Sequence, residues 1–324
     1  MRILVTGGAG YIGSHYVLYE RSRGNDVVIL DNLIYGHREA VLDTPLVVGD
    51  VGNRELLDRV MAEYKVDAVV HFAAFASVGE SVSHPERYFH NNVLTTLTLL
   101  DAMRDNGVKF LVFSSSCATY GNPQYVPMDE SHPQKPVNPY GESKLFCEHM
   151  MSAYDKAHGL RFNALRYFNA AGADPEGRIG ESHDPETHII PNILHAAMGK
   201  RENVSIFGTD YETPDGTCVR DYIHILDLAQ AHSLALNKLV DGASSNFYNL
   251  GTEQGNSVNE VIEVCREVTG RNISVEYGER RPGDPPKLVA SATKAKTDLE
   301  WSPVYSDIKD IISTAWKWEL NRKY

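Results

Sequence analysis

Cysteine is scarce: the 324 residues contain four, Cys117, Cys147, Cys218 and Cys265, far apart and without a C-x-x-C pair. That excludes a disulfide framework and a cysteine-built zinc site. The 13 histidines form no H-E-x-x-H pattern, so no metal is expected. Basic residues fall short of acidic ones, 31 against 43, for a formal charge of −12. Such a balance argues against nucleic acid or an anionic membrane as the main partner. It still leaves room for a local basic cluster around a small phosphorylated ligand. No apolar run approaches the ~18 residues needed to cross a bilayer. Arg2–Thr6 already reads as a strand, which leaves no place for a signal peptide. Internal repeats and low-complexity tracts are also missing. The expectation is a reduced, cytoplasmic protein with neither a nucleic-acid nor a membrane partner.

What is present is an alternation. Short apolar runs at Arg2–Thr6, Asp26–Asp31, Leu46–Val48, Asp67–Phe72, Lys109–Ser114 and Arg161–Arg166 are rich in Val, Ile, Leu and Phe. They do not alternate apolar with polar, as expected of strands covered on both faces. Helical stretches near 11–23, 53–64, 90–105 and 139–157 separate them, with Gly24 and Gly107 placed as helix stops. The pattern predicts an α/β fold with a doubly wound parallel sheet. After about residue 172 the rhythm breaks into a segment rich in Gly, Asp, Pro and Glu. A helix, a strand at Val204–Phe207 and a polar loop to Arg220 follow, then helices near 224–239, 257–269 and 305–320. Residues 1–172 are therefore expected to form one domain and 173–324 a smaller α/β ligand-gripping domain, with about 221–250 packing back onto the sheet.

The chain opens RILVTGGAGYIGSH. A strand running into Gly7-x-x-Gly10-x-x-Gly13 and then a helix is the context in which a glycine motif points to a dinucleotide. Gly7 permits the turn, Gly10 lets backbone approach a pyrophosphate, and Gly13 lets helix pack on strand. The ligand's charge then sits at the positive end of the helix dipole. Asp31 ends the second strand, where a carboxylate accepts bonds from ribose hydroxyls and repels a 2′-phosphate, favouring NAD over NADP. Asp50, closing the third strand, is placed to meet the adenine edge.

Tyr140 and Lys144 stand four residues apart, on one helical face. A free tyrosine has a pKa of about 10, and a nearby ammonium is expected to lower it. The pair can then exchange a hydroxyl proton while a hydride moves to or from a nicotinamide. The run Phe113-Ser114-Ser115-Ser116-Cys117 ends the fifth strand, and hydroxyls at the carboxyl end of a parallel strand face the ligand crevice. One of them can hold the reacting oxygen.

These segments, with ILDNL, VVHFAA, NNV, PYGESK, LRYFNAAGA, IFGTDY, GTCVRDYIH, YNLG and RRPGDPP, resemble the extended short-chain dehydrogenase/reductase family, most closely its sugar-nucleotide 4-epimerase branch. The likeness runs from residue 3 to about 286. GTCVRDYIH with RRPGDP is its more specific part, because it marks the sugar-nucleotide side. The resemblance implies a Rossmann-type NAD domain, a UDP-sugar domain and a homodimer. It implies interconversion of UDP-glucose and UDP-galactose through a 4-keto sugar. Tyr140 matches the acid/base, Lys144 its partner at the nicotinamide ribose, and Ser116 the serine bonded to the sugar oxygen. Gly7, Gly10, Tyr11, Ile12, Gly13, Asp31, Asn32, Asp50 and Val51 match cofactor-lining positions, as do Phe72, Ala73, Asn91, Ser114 and Phe168. Asn169, Ile189, Ser205, Phe207, Arg220, Arg281 and Asp284 match positions around UDP, with Ser116 and Tyr140 at the sugar. Three positions depart from the pattern of some members: Ala76 replaces a lysine, His188 a substrate-binding asparagine, and Leu288 a tyrosine beside the sugar.

Two alternatives share the fold: another UDP-sugar 4-epimerase (N-acetylhexosamine, pentose or uronate), or a sugar-nucleotide dehydratase or decarboxylase. Dehydratases need a further acid and base, and here Cys117-Ala118 follow Ser116. A non-catalytic NAD sensor has no need of Ser116, Tyr140 and Lys144 together. For the homodimer, the expected contact is the outward faces of helices 90–105 and 139–157, which offer Val93, Leu97 and Phe146.

Overall fold

A computed structural model describes residues 1–281 and 283–324. Its centre is a parallel seven-stranded sheet: β1 (Arg2–Thr6), β2 (Asp26–Asp31), β3 (Leu46–Val48), β4 (Ala68–His71), β5 (Phe110–Ser116), β6 (Arg161–Tyr167) and, from late in the chain, β10 (Asn246–Leu250). The spatial order is β10-β6-β5-β4-β1-β2-β3. The strand order reverses between β1 and β4, which opens a crevice beyond their carboxyl ends. The apolar runs are continuous because both faces are covered. In β1, Ile3 and Val5 pack on one helical layer and Leu4 on the other, and all three are fully buried.

The layers are α1 (Tyr11–Ser22) with α8 (Ile225–Val240) on one face, and α2 (Arg54–Glu63), α5 (Thr95–Asp105) and α6 (Pro139–His158) on the other. Two short helices, α3 (Val78–Ser83) and α4 (Pro85–Tyr88), precede α5. The expected helix at 90–105 is not uniform. A π-helical turn, Phe89–Leu94, leads into it, and buried Asn92 there bonds the N–H and C=O of Phe75 and the hydroxyl of Ser143. Such turns widen a helix locally and turn side chains toward sites. Gly24 and Gly107 follow α1 and α5 with positive φ, 81° and 72°.

The remainder is built from shorter pieces: β7 (Asn169–Ala171), α7 (Ile189–Ala197), β8 (Val204–Phe207), β9 (Val219–His224), β11 (Gly255–Ser257), α9 (Val258–Thr269), β12 (Val275–Gly278), β13 (Lys287–Leu288), α10 (Thr293–Asp298) and α11 (Ile308–Leu320). β9 is central to a second sheet, pairing with β7, β11 and β13, while β8 pairs with β12. The polar loop expected to reach Arg220 ends at Cys218, and β9 begins one residue later. Its acid Asp221 is tolerated at full burial because Thr252 N and Oγ1, Glu253 N and Ala290 N all donate to it, at 2.8 to 3.2 Å. Burial still pushes its carboxyl up to about 6.

Candidate active site

The glycine loop shows which of its members the fold requires. A Cβ on Gly13 would stand 2.2 Å from the Gly7 carbonyl oxygen, and one on Gly7, where φ is +73°, would stand 2.5 Å from Ala73 N. Those two glycines serve the protein's own packing. Gly10 does not, since its nearest neighbour would be 3.4 Å away. The space left there opens at the N-terminus of α1, whose first turn carries no acidic residue. A cradle at the positive end of a helix, kept free of side chains and of competing carboxylates, fits a pyrophosphate.

Gly7, Gly10, Asp31, Asn32, Asp50, Val51, Phe72, Ala73 and Asn91 line one cleft at the strand ends. Asp31 is buried, its oxygens accepting from Ala9 N at 2.9 Å and Leu33 N at 2.8 Å. Burial raises its pKa, and those two N–H groups oppose the rise. Asn32 donates to Asp50 at 3.1 Å. Tyr11, Ile12, Gly13, Ser114, Tyr140, Lys144 and Phe168 lie outside that wall; Tyr11 OH donates to Gly172 O at 2.6 Å. The wall also contains Tyr35, Gly36, Phe75 and Thr95, which sequence reading missed. Tyr35 and Phe75 meet edge to face at 5.6 Å. Loop residues 40 positions apart carry no periodic signal of that contact.

Beyond the open end of β5 lies the second group. Pro139 starts α6, and Asn138 caps it by accepting from Gly141 N. A Cβ on Gly141 would stand 2.5 Å from Ala118 O. Glycine there lets the first turn press onto the residues just after Ser116, which delivers Tyr140 to the strand end. The three serines divide by strand alternation. Ser115 turns to the opposite face and donates to Glu148 at 2.6 Å, Ser114 bonds Tyr167, and Ser116 accepts from Ala118 N at 3.1 Å and faces Tyr140. Ser116 is thus the hydroxyl left for a ligand.

One electrostatic expectation needs correcting. Tyr140 is pushed up to about 12 by burial, with the Ser116 hydrogen bond opposing. Lys144 is not the group that lowers it. Its Nζ donates to Ser114 O at 2.8 Å and stands 5.9 Å from the Tyr140 ring centre. Burial also lowers the Lys144 ammonium to about 8. Burial penalises the charged form of each group.

The positions expected around UDP gather from four segments. Arg220, mostly buried in β9, forms an ion pair with Asp284, and the Arg281 guanidinium lies over the Phe207 ring at 4.1 Å. Ser205 and Phe207 share the outward side of β8, and Asn169 donates to Asp221 O at 2.9 Å. Ile189 opens α7, and His188 caps it with its ring turned to Glu181 and Glu186. Leu288 pairs in register with Arg220 and packs with Cys117 and Phe168 around Tyr120 and Met128. That cluster joins the two groups, because Cys117 directly follows Ser116. Ala76 is exposed in the loop after β4.

Residues 3–251 match the family described as NAD dependent epimerase/dehydratase. The chain is 52% identical to the UDP-glucose 4-epimerase of Halalkalibacterium halodurans, over 98% of this chain and 95% of that one. It is similar to the structure of UDP-glucose 4-epimerase from Brucella ovis in complex with NAD, with a TM-score of 0.96, 48% identity and 97% of each chain covered. It is also similar to that from Bifidobacterium longum in complex with NAD+ and UDP, with a TM-score of 0.93, 36% identity and 99% of each chain covered.

Proposed function

This chain belongs to the NAD-dependent epimerase/dehydratase family, and on that premise we propose that it is an isomerase interconverting UDP-glucose and UDP-galactose. The observation that carries the reading is the adjacency just described: Ser116 and Tyr140 stand between a dinucleotide cleft and, through Cys117 and Leu288, the Arg220–Asp284 pair. The hydroxyl of Ser116 bonds O4 of the sugar. Tyr140, as phenolate, takes the O4 proton and later returns it. NAD, when bound, supplies a hydride acceptor at C4, a donor for the return from the other face, and a positive charge in its oxidised ring. Lys144 uses one of its three N–H donors on Ser114 O, leaving two for ribose hydroxyls. Arg220 and Arg281 suit the diphosphate as planar donors. Asp284 suits ribose hydroxyls and Phe207 the uracil face. Holding UDP while the 4-keto sugar turns is what allows attack on both faces.

Asp31 supports NAD over NADP, since a 2′-phosphate would bring like charge to a buried carboxylate. Elimination chemistry is disfavoured at the same place. Burial pushes the Cys117 thiol up to about 12, so it supplies neither the acid nor the base that a dehydratase needs. The decisive measurement incubates the NAD-loaded protein with a panel of UDP-sugars and separates the products. Conversion of UDP-galactose and UDP-glucose into one another without accumulation of NADH is expected; dehydrated or decarboxylated products, or no conversion, would overturn the assignment.

A homodimer and a cytoplasmic setting complete this reading. Phe146 and Leu94 are exposed at 44% and 50% on the outward side of α6 and the π turn. Val93, expected there, packs against the core instead, and Leu97 is half-buried. Light scattering showing a monomer at micromolar concentration would remove the dimer. The four cysteines are unpaired, and no helix among the described residues is long and apolar enough to cross a membrane.

A further inference from the structure

We propose that Glu181, His183, Glu186 and His188 bind one divalent ion of the zinc class, in the segment between β7 and α7. This departs from the expectation of no metal. An H-E-x-x-H pair needs a helix to bring its ligands together, whereas here the loop from Glu181 and the N-cap position of α7 converge.

The geometry is that of a ligand shell. Glu181 Oε1 lies 2.8 Å from His188 Nδ1 and 3.2 Å from His183 Nδ1. Glu186 lies 3.0 Å from His188 Nδ1 and 3.5 Å from His183 Nδ1. One ligand atom from each residue falls within 4.8 Å of all the others. Four ligands bonded at about 2.0–2.1 Å to a tetrahedral ion stand about 3.3 Å apart, and the four imidazole–carboxylate separations of 2.8–3.5 Å already bracket that spacing. Hydrogen bonding accounts for only part of the cluster, namely the 3.0 Å bond between His188 Nδ1 and Glu186 Oε1. Glu181 is 6% exposed, and neither its Oε1 nor His183 Nδ1, both buried, has a hydrogen-bond partner.

The donor set selects the ion. Two imidazoles and two carboxylates carry a charge of −2 when the rings are neutral, which a divalent cation cancels. Mixed nitrogen and oxygen donors in a four-fold arrangement suit zinc, while calcium and magnesium take six or more oxygens. Four protein ligands close the shell, so the role is structural rather than catalytic. The backbone is already held there: Trp318 Nε1 donates to Glu181 O at 2.9 Å, Arg322 donates to Ser182 Oγ at 2.6 Å, and His188 N donates to Glu186 at 2.8 Å. The His183 ring meets the edge of Tyr11, the first residue of α1, at 6.1 Å. An ion here would brace the 172–188 segment against the start of the dinucleotide-binding helix.

The test uses full-length, tag-free protein carrying NAD, stripped with a chelator and titrated with Zn²⁺ against a chromophoric competitor, then with Co²⁺. One equivalent of Zn²⁺ should bind and raise Tm, and Co²⁺ should give the intense visible bands of tetrahedral coordination. His183→Ala and Glu181→Gln should each weaken Zn²⁺ binding by roughly 10–100-fold or more and abolish those bands. The unsubstituted protein decides the matter even if a variant folds poorly. Failure to hold Zn²⁺ against the competitor overturns the site, as does unchanged affinity and spectrum in folded His183→Ala.

Discussion

Between Ser116 at the tip of β5 and Arg220 near the start of β9, the protein changes how it places a functional side chain. On the Ser116 side, groups hang from ends of a sheet buried on both faces, and close contacts such as Gly141 against Ala118 leave them one position each. On the Arg220 side, groups come from short strands and from the segment before β13, and hold one another. Arg220 pairs with Asp284, and Arg281 lies on Phe207. The first construction suits proton transfer, where tenths of an ångström matter. The second suits grip, because charged partners can exchange one another for a ligand. Changes on the first side should therefore reach kcat, and changes on the second KM.

The largest expected effect tests the buried sheet itself. His15, His71 and His232 lie in its layers and His224 at its border, all buried, and burial lowers them to about 4, 3, 4 and 3. In the unfolded chain they take protons near 6.5. The unfolded state thus binds more protons below that pH, and stability present above 6.5 is lost as pH falls toward 4. The slope reaches up to about 1.4 kcal/mol per pH unit for each histidine. Calorimetry across pH 7 to 4.5 measures it; a Tm flat from 6.5 to 5 would show that these rings do not stay neutral.

Tyr140→Phe comes next. It should retain NAD and UDP-sugar binding and lose roughly 10²–10⁴ in kcat, read by steady-state kinetics beside binding calorimetry. Unchanged turnover would move the proton transfer elsewhere. On the other side, Arg220→Met keeps the packed stem and removes the donors. Charged hydrogen bonds contribute about 1.5–3 kcal/mol, so KM should rise roughly 10–150-fold with kcat nearly preserved. A fall in kcat with constant KM would break the division drawn between the two sides.

The smallest effect on the hexoses is expected at Leu288, which bridges the sides. Leucine is shorter than tyrosine, so UDP-N-acetyl sugars should be accepted, at lower kcat/KM than UDP-glucose and UDP-galactose. Overpacking costs about 1–3 kcal/mol. Leu288→Tyr should therefore suppress N-acetyl turnover roughly 5- to 150-fold and largely spare the hexoses. Equal loss on both substrate types would place the C2 pocket away from residue 288.

Sequence alone determined what depends on short range. Continuous apolar runs between amphipathic stretches dictate a parallel sheet covered on both faces, glycines at three-residue spacing dictate the turn into α1, and a four-residue spacing puts Tyr140 and Lys144 on one helical face. Each rests on the 2.0 or 3.6 periodicity of a single element. Tertiary structure decided what depends on distant segments meeting. Asp221 is a buried knot only because residues 252, 253 and 290 bring donors to it. Lys144 rests on Ser114 O rather than lowering Tyr140, because burial penalises both charges. Arg220 meets Asp284 across 64 residues, and Glu181 and His188 converge because a C-terminal tryptophan and a helix cap fix the ends of their segment. Such pairings carry no period to read, since desolvation and packing select them only once the chain has closed on itself.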